Sequence, residues 1–307
     1  MLTLPKKPWV LAHSPQLVSE MLFSDKATAK LFGKMVEERD FQSLLIHGPQ
    51  GTGKSSISYA LPRSCGVDEM DILKINCSDE KIEAIRDKVK SFATTMPYGD
   101  YKVVRLEEID GLSQDAQQLL RSLIEEVQAS CRFIATCNYL NKVLPPLQDR
   151  FTVYHFKGPD IGEATLRAAE ILEKRGIEFQ LDDLDAVVAA AWPSFRKVLK
   201  LLEANTKTGV LILHGTEESA ADWKLGLLPL LEAGDLKAAR KLVCENATRE
   251  EIQDVFRFVY NSLPKMKTLK GKTDQAVILI AQYQDMHTRV GDTEINIAAL
   301  FCELDAL

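Results

Sequence analysis

No stretch of this 307-residue chain is apolar over anything near the length of a membrane span, and its first residues lack a signal-peptide pattern. Both absences predict a cytoplasmic protein without a membrane partner. The six cysteines, Cys65, Cys77, Cys131, Cys137, Cys244 and Cys302, form no C-x-x-C pair. That predicts reduced thiols and counts against a zinc module. The five histidines have no metal-ligand spacing, which leaves surface or core roles for them. There is no internal repeat and no low-complexity tract. There is also no excess of positive charge: 38 Lys and Arg against 44 Asp and Glu give a formal net charge of −6. A lone nucleic-acid-binding domain is usually basic, so this balance counts mildly against DNA binding by the whole surface. A local basic path stays open, because phosphate contacts depend on where the charges sit.

What is present is ordinary globular material, 46% hydrophobic and 27% charged, enough for two or three domains. Within it lies Gly48-Pro49-Gln50-Gly51-Thr52-Gly53-Lys54-Ser55, which fits G-x-x-x-x-G-K-[ST]. Before it, Ser43 to His47 reads as a buried strand, and after it, Ser55 to Leu61 reads as a helix. Phosphate binding needs that order. Glycines let the backbone wrap a polyphosphate, and the new helix aims free N–H groups and its dipole at the anion. Lys54 then reaches the β- and γ-phosphates of a nucleoside triphosphate, and Ser55, followed by Ser56, holds Mg²⁺.

Residues 43–157 alternate strand and helix. Strands are predicted at 43–47, 72–76, 102–106, 131–137 and 152–156, and helices at 54–63, 81–94 and 113–129. Such alternation implies an α/β module with a parallel sheet, the nucleotide lying at the carboxyl ends of the strands. Lys157-Gly158-Pro159-Asp160 breaks the pattern, and the rest reads as helix. Segments 162–175, 182–191 and 194–206 make one helical unit, and a block from about 218 to 307 makes another. Asp235 and Thr248 are the expected N-caps, and basic Lys265 to Lys272 a solvated loop. The predicted domains are 1–157, 158–209 and 210–307.

A second element suits a Mg²⁺-nucleotide site. Lys102-Val103-Val104-Arg105-Leu106-Glu107-Glu108-Ile109-Asp110 is a strand ending in adjacent acids. Glu107 is assigned to the metal, and Glu108 to orienting or deprotonating the attacking water.

With Phe133 to Asn138, Trp192-Pro193-Ser194-Phe195-Arg196-Lys197 and Pro145-Pro146-Leu147-Gln148-Asp149-Arg150-Phe151, these elements resemble an AAA+ ATPase. Within that superfamily the chain is similar to a sliding-clamp loader subunit, of replication factor C small-subunit type. It looks most like the large subunit of T-even-type phage clamp loaders, which would place it in the host cytoplasm. The family's acidic element reads Asp-Glu-x-Asp after four apolar residues. Here Glu107 replaces the first Asp and Arg105 interrupts the apolar run.

The resemblance implies an AAA+ module with a helical lid and an all-α collar. It implies that Asn138 probes the γ-phosphate or the attacking water and that Arg196 reaches the phosphates from the lid. It makes Arg150 an arginine finger acting in trans on a neighbour's ATP. Lys81, Arg86 and Ser113 become DNA-contact candidates; for Lys81 and Arg86 a solvated amphipathic helix, with Ile82, Ile85, Val89 and Phe92 inward, stays the other reading. Gln117 and Arg121 become candidates for coupling neighbouring subunits. The implied partners are a sliding clamp, primer–template DNA, further copies of the chain and a distinct small clamp-loader subunit. Two other functions remain open. One is a different AAA+ DNA-processing motor, of branch-migration or initiator type. The other is a clamp-loader scaffold that hydrolyses ATP weakly.

Overall fold

The computed structural model describes residues 7–78, 81–206, 209–212, 223–266, 268–287 and 289–307. Its elements in chain order are α1 (Trp9–Ala12), α2 (Lys26–Glu38), β1 (Leu44–His47), α3 (Lys54–Ser64), β2 (Ile72–Asn76), α4 (Ile82–Thr94), β3 (Lys102–Glu107), α5 (Gln114–Val127), β4 (Cys131–Cys137), α6 (Pro145–Gln148) and β5 (Thr152–His155). There follow α7 (Ile161–Lys174), α8 (Leu181–Ala191), α9 (Phe195–Asn205), α10 (Trp223–Ala233), α11 (Leu236–Asn246), α12 (Arg249–Ser262), α13 (Thr273–His287) and α14 (Thr293–Ala306). The chain divides into two compact units. One comprises residues up to Ile171 together with Ala191–Glu203; the other comprises Leu172–Ala190 and Ala204–Leu307.

The first unit is built on a five-stranded sheet in the order β2-β3-β4-β1-β5. Every pairing is parallel. Helices cover both faces, so the central strands are apolar on both sides rather than alternating with polar residues. Parity decides which core each residue enters. Leu45, Val104, Leu106, Phe133 and Ala135 pack with Ile85 and Val89 of α4 and Leu120 and Ile124 of α5. Leu44, Ile46, Val103 and Ile134 pack with Phe32 of α2 and Ile57, Ala60 and Leu61 of α3. A fully buried side chain of this kind contributes roughly 1.5–3 kcal/mol. On β3 the same parity turns Arg105 and Glu107, with Val103, toward α3. All five strands fall within a residue or so of the expected spans, as the parallel α/β module required.

The second unit is helical apart from one isolated bridge, Glu178 to Val210, among its described residues. Leu227, Leu231, Val243, Phe256, Ile280, Leu300 and Phe301 lie in its core. Asp235 caps α11 by accepting from the Ala238 amide at 2.9 Å. At Thr248 the Glu251 carboxylate accepts from the backbone amide at 3.1 Å and from the hydroxyl at 3.0 Å. The basic stretch from Lys265 is a loop, but not a fully solvated one: Met266 and Leu269 are buried in the helical core. Apolar residues set between lysines anchor the turn, and charge density alone concealed them.

Candidate nucleotide-binding site

The loop after β1 is tightly packed where its glycines stand. Gly48 has φ +146°, and a Cβ there would lie 2.1 Å from the Phe156 carbonyl oxygen. Gly51 has φ +77°, and a Cβ there would lie 1.9 Å from the Ser194 Oγ. Both positions thus require glycine for space as well as for φ. Thr52 Oγ1 donates to the Pro49 carbonyl at 2.9 Å and holds the turn closed. Gly53 hands over to α3, whose first intrahelical bond is Ile57 N–H to the Gly53 carbonyl. The amides of Lys54, Ser55 and Ser56 therefore lack helical partners and are available to an anion. Pro49, Gln50 and Ser55 are exposed and Ser56 is half-buried.

Lys54 is buried, and its ammonium donates to the carbonyls of Gly48 at 2.8 Å and Pro49 at 2.7 Å. Burial pushes its pKa down to about 8, Arg196 adding to the effect and Asp110 and Glu108 opposing it. A triphosphate beside Lys54 favours the ammonium, so nucleotide binding is expected to take up a proton where the free lysine is neutral. Affinity is then expected to fall as pH rises through about 8. Calorimetric titration with ATP near pH 7 and near pH 9, in buffers of different ionisation heat, measures the uptake. No proton uptake at the higher pH refutes it.

Glu107 closes β3. Its Oε1 accepts from Arg105 Nη2 at 3.0 Å, and its Oε2 pairs with Lys74 Nζ at 3.0 Å. Glu108 follows in the left-handed region, φ +59°, an uncommon backbone for a side chain of its type. Ser78 Oγ donates to its Oε2 at 2.9 Å. Asp110 Oδ2 accepts from the amides of Asn138 at 3.1 Å and Tyr139 at 3.0 Å, which fixes the turn carrying Asn138 to the acidic end of β3. Among the described residues no three His, Cys, Asp or Glu are grouped to hold a metal ion. Mg²⁺ needs only one or two protein oxygens, so it fits what is present: Ser55 and Glu107 would hold it, to supply charge neutralisation at the phosphates.

Arg196 is exposed in the first turn of α9 and contributes to the charge felt by Lys54. The turn before it is seated on the loop: Ser194 lies against Gly51, and its hydroxyl accepts from the Lys197 amide at 3.3 Å. Lys54, Ser55, Glu107, Glu108, Asn138 and Arg196 thus come from elements meeting at one end of the sheet.

Arg150 does not join them. It enters β5 just before Thr152, which pairs with Leu44 at the start of β1, whereas the phosphate loop leaves from His47 at the other end. The strand between spans about 10 Å. Arg150 pairs with Glu125 at 2.5 Å, and Glu125 also accepts from Arg121 Nε at 3.2 Å. The finger candidate and one coupling candidate therefore share a carboxylate that sequence reasoning missed. No local signal marks it, since Glu125 and Arg150 lie on different elements. Gln117, the other coupling candidate, is buried. Its amide donates to the carbonyls of Leu112 at 3.1 Å and Lys142 at 3.0 Å and accepts from the Leu144 amide at 2.7 Å. It braces the loop after the acidic element against the loop entering α6, and α6 leads to Arg150.

Of the DNA-contact candidates, Lys81 is the exposed N-cap residue of α4, and Arg86 is exposed on the same helix. The inward stripe is as expected, Ile85 and Val89 being buried and Ile82 and Phe92 packed against that core. Ser113 is exposed and caps α5, its Oγ accepting from the Ala116 amide at 3.3 Å.

Residues 44–158 match the model of the ATPase family associated with various cellular activities (AAA). The replication factor C small subunit of Archaeoglobus fulgidus is 35% identical over 209 residues, covering 66% of this chain and 65% of that protein. The Methanococcus vannielii replication factor C small subunit is 33% identical over 219 residues, covering 70% and 68%. The alignment to the Archaeoglobus protein thus spans just under two thirds of that relative's length. Among solved structures, the Thermotoga maritima RuvB Holliday junction branch migration motor superposes with a TM-score of 0.54 at 16% identity, covering 76% of this chain and 79% of that one. At such identity the likeness is one of fold. With the phosphate loop, the acidic strand end and the sequence kinship in agreement, the chain belongs to the replication factor C small-subunit family of AAA ATPases.

Proposed function

We propose that this chain is a DNA-stimulated ATPase subunit of a sliding-clamp loader. ATP binding assembles subunits around primer–template DNA and holds a clamp open, and hydrolysis releases the clamp. Residues 158–209 act as a lid over the nucleotide, and residues 210–307 as a collar joining subunits, including a distinct small one. The observation that carries the reading is the separation of Arg150 from the phosphate loop of its own chain, at the opposite end of β1 and β5. An arginine so placed serves a neighbour's site, which makes assembly a condition of turnover.

Within the site each group has one task. The loop amides and Lys54 bind the phosphates. Ser55 and Glu107 would hold Mg²⁺, which when bound neutralises phosphate charge. Glu108 orients water and takes its proton. Asn138 and Arg196 face the γ-phosphate. The kinship with replication factor C small subunits favours this reading over a branch-migration motor. So does the all-helical stretch from Trp223 onward, where the described residues contain no strand for a winged-helix hairpin.

The test is ATP turnover of the chain alone, with primer–template DNA, and with DNA plus a cognate clamp and small subunit. Stimulation by DNA and clamp together is expected; its absence overturns the proposal.

A further inference from the structure

Arg105 is an unusual residue for its place. It sits in the middle of β3, paired on one side with β2 and on the other with β4, and its side chain is 8% exposed. A guanidinium there costs several kcal/mol unless its donors and its charge are matched. Two neighbours meet the charge and the Nε and Nη2 donors. Nε and Nη2 donate to Ser58 Oγ at 3.3 and 3.1 Å, and Nη2 donates to Glu107 Oε1 at 3.0 Å.

Ser58 is itself committed: its hydroxyl donates to the Ser55 carbonyl at 2.9 Å. An unbroken path therefore runs from the Glu107 carboxylate through Arg105 and Ser58 to the backbone of Ser55. It joins the two protein groups that would hold the metal, one at the end of β3 and one in the first turn of α3. Lys74, in register with Arg105 on β2, takes the other Glu107 oxygen at 3.0 Å. Both carboxylate oxygens are thus held by cations, and the side chain has a single orientation.

We propose that Arg105 is a positioning residue for Glu107, and that the two departures of this strand from an apolar run ending in Asp form one compensated pair. Glutamate is a methylene longer than aspartate and has one more torsion to fix. Arg105 draws its carboxylate back along the strand and locks it to α3 through Ser58. Aspartate at 107 is too short to satisfy Arg105 and face the metal at once. An apolar residue at 105 leaves the long glutamate tethered by Lys74 alone, an exposed side chain screened by solvent. This inference rests on the nucleotide-site reading above.

The experiment measures binding of a fluorescent ATP analogue against Mg²⁺ concentration, and in EDTA, for the wild type, Arg105→Leu, Glu107→Asp and the double variant, with a melting temperature for each. Each single variant is expected to raise the Mg²⁺ concentration for half-maximal binding by about 10–100-fold, with little change in EDTA. The double variant is expected to move back toward the wild type, so that the two effects do not multiply. Arg105→Lys keeps the charge but cannot span Ser58 and Glu107 together; it is expected to fall between, and it carries the test if Arg105→Leu fails to fold. Multiplying effects overturn the proposal, as does a change confined to melting temperature. A wild type without Mg²⁺-dependent nucleotide binding overturns the nucleotide-site reading as well, whereas normal wild-type binding with independent effects overturns this inference alone.

Discussion

Arg150→Ala is expected to lower DNA- and clamp-stimulated turnover by about 10³–10⁵-fold, the range measured for arginine fingers, while leaving ATP binding near the wild-type level. The asymmetry follows from place. Arg150 lies at the end of β5 away from its own phosphate loop and rests on Glu125. Removing it costs its own site no contact, but it removes the cation that neutralises charge on the phosphoryl group in the next subunit. Mixing gives the sharper check. Lys54→Ala chains lack a working site but carry a finger, and Arg150→Ala chains have the reverse. Mixed assemblies are expected to recover part of the turnover that neither shows alone. Normal stimulated turnover by Arg150→Ala refutes the trans assignment.

Glu108→Gln is the second large effect. Loss of a positioned general base lowers turnover by about 10²–10⁴-fold. The substituted amide oxygen still accepts from Ser78 Oγ, which holds the carboxylate at 2.9 Å, so the left-handed turn and the neighbouring loop are expected to persist. ATP binding should remain, and the variant should accumulate in its assembled, ATP-bound form. Single-turnover hydrolysis and nucleotide affinity measured together decide it. Turnover within about tenfold of the wild type moves the base elsewhere.

Much of the α/β unit was legible beforehand because its signals are local. A strand, a glycine turn and a helix follow one another within the few residues from Leu44 to Ser64, and each has its own composition. The acidic end of β3 and the polar end of β4 announce themselves in the same way. Contacts across elements carry no such mark. Ser194 stands in the sequence only as part of the segment leading to Arg196, yet it fills the space that only glycine leaves at position 51 and accepts from the Lys197 amide. Gln117 reads as a polar helix residue and is a buried brace. Lys265 to Lys272 reads as a charged loop and hides two core residues.

A phosphate loop before a helix, acids at a strand end and an arginine before the last strand of an α/β module are all written in the order of residues along the chain. Those depend on neighbours in the chain and on periodicities of two and 3.6 residues. What these groups face is set by the folded sheet. Arg105 and Ser58, 47 residues apart, become partners because strand parity turns Arg105 toward the helix that follows the phosphate loop. Arg150 lies away from its own phosphate loop because a parallel sheet sends the start of one strand and the exit of its neighbour to opposite ends. Direction and face are properties of the assembled sheet, and no single segment contains them.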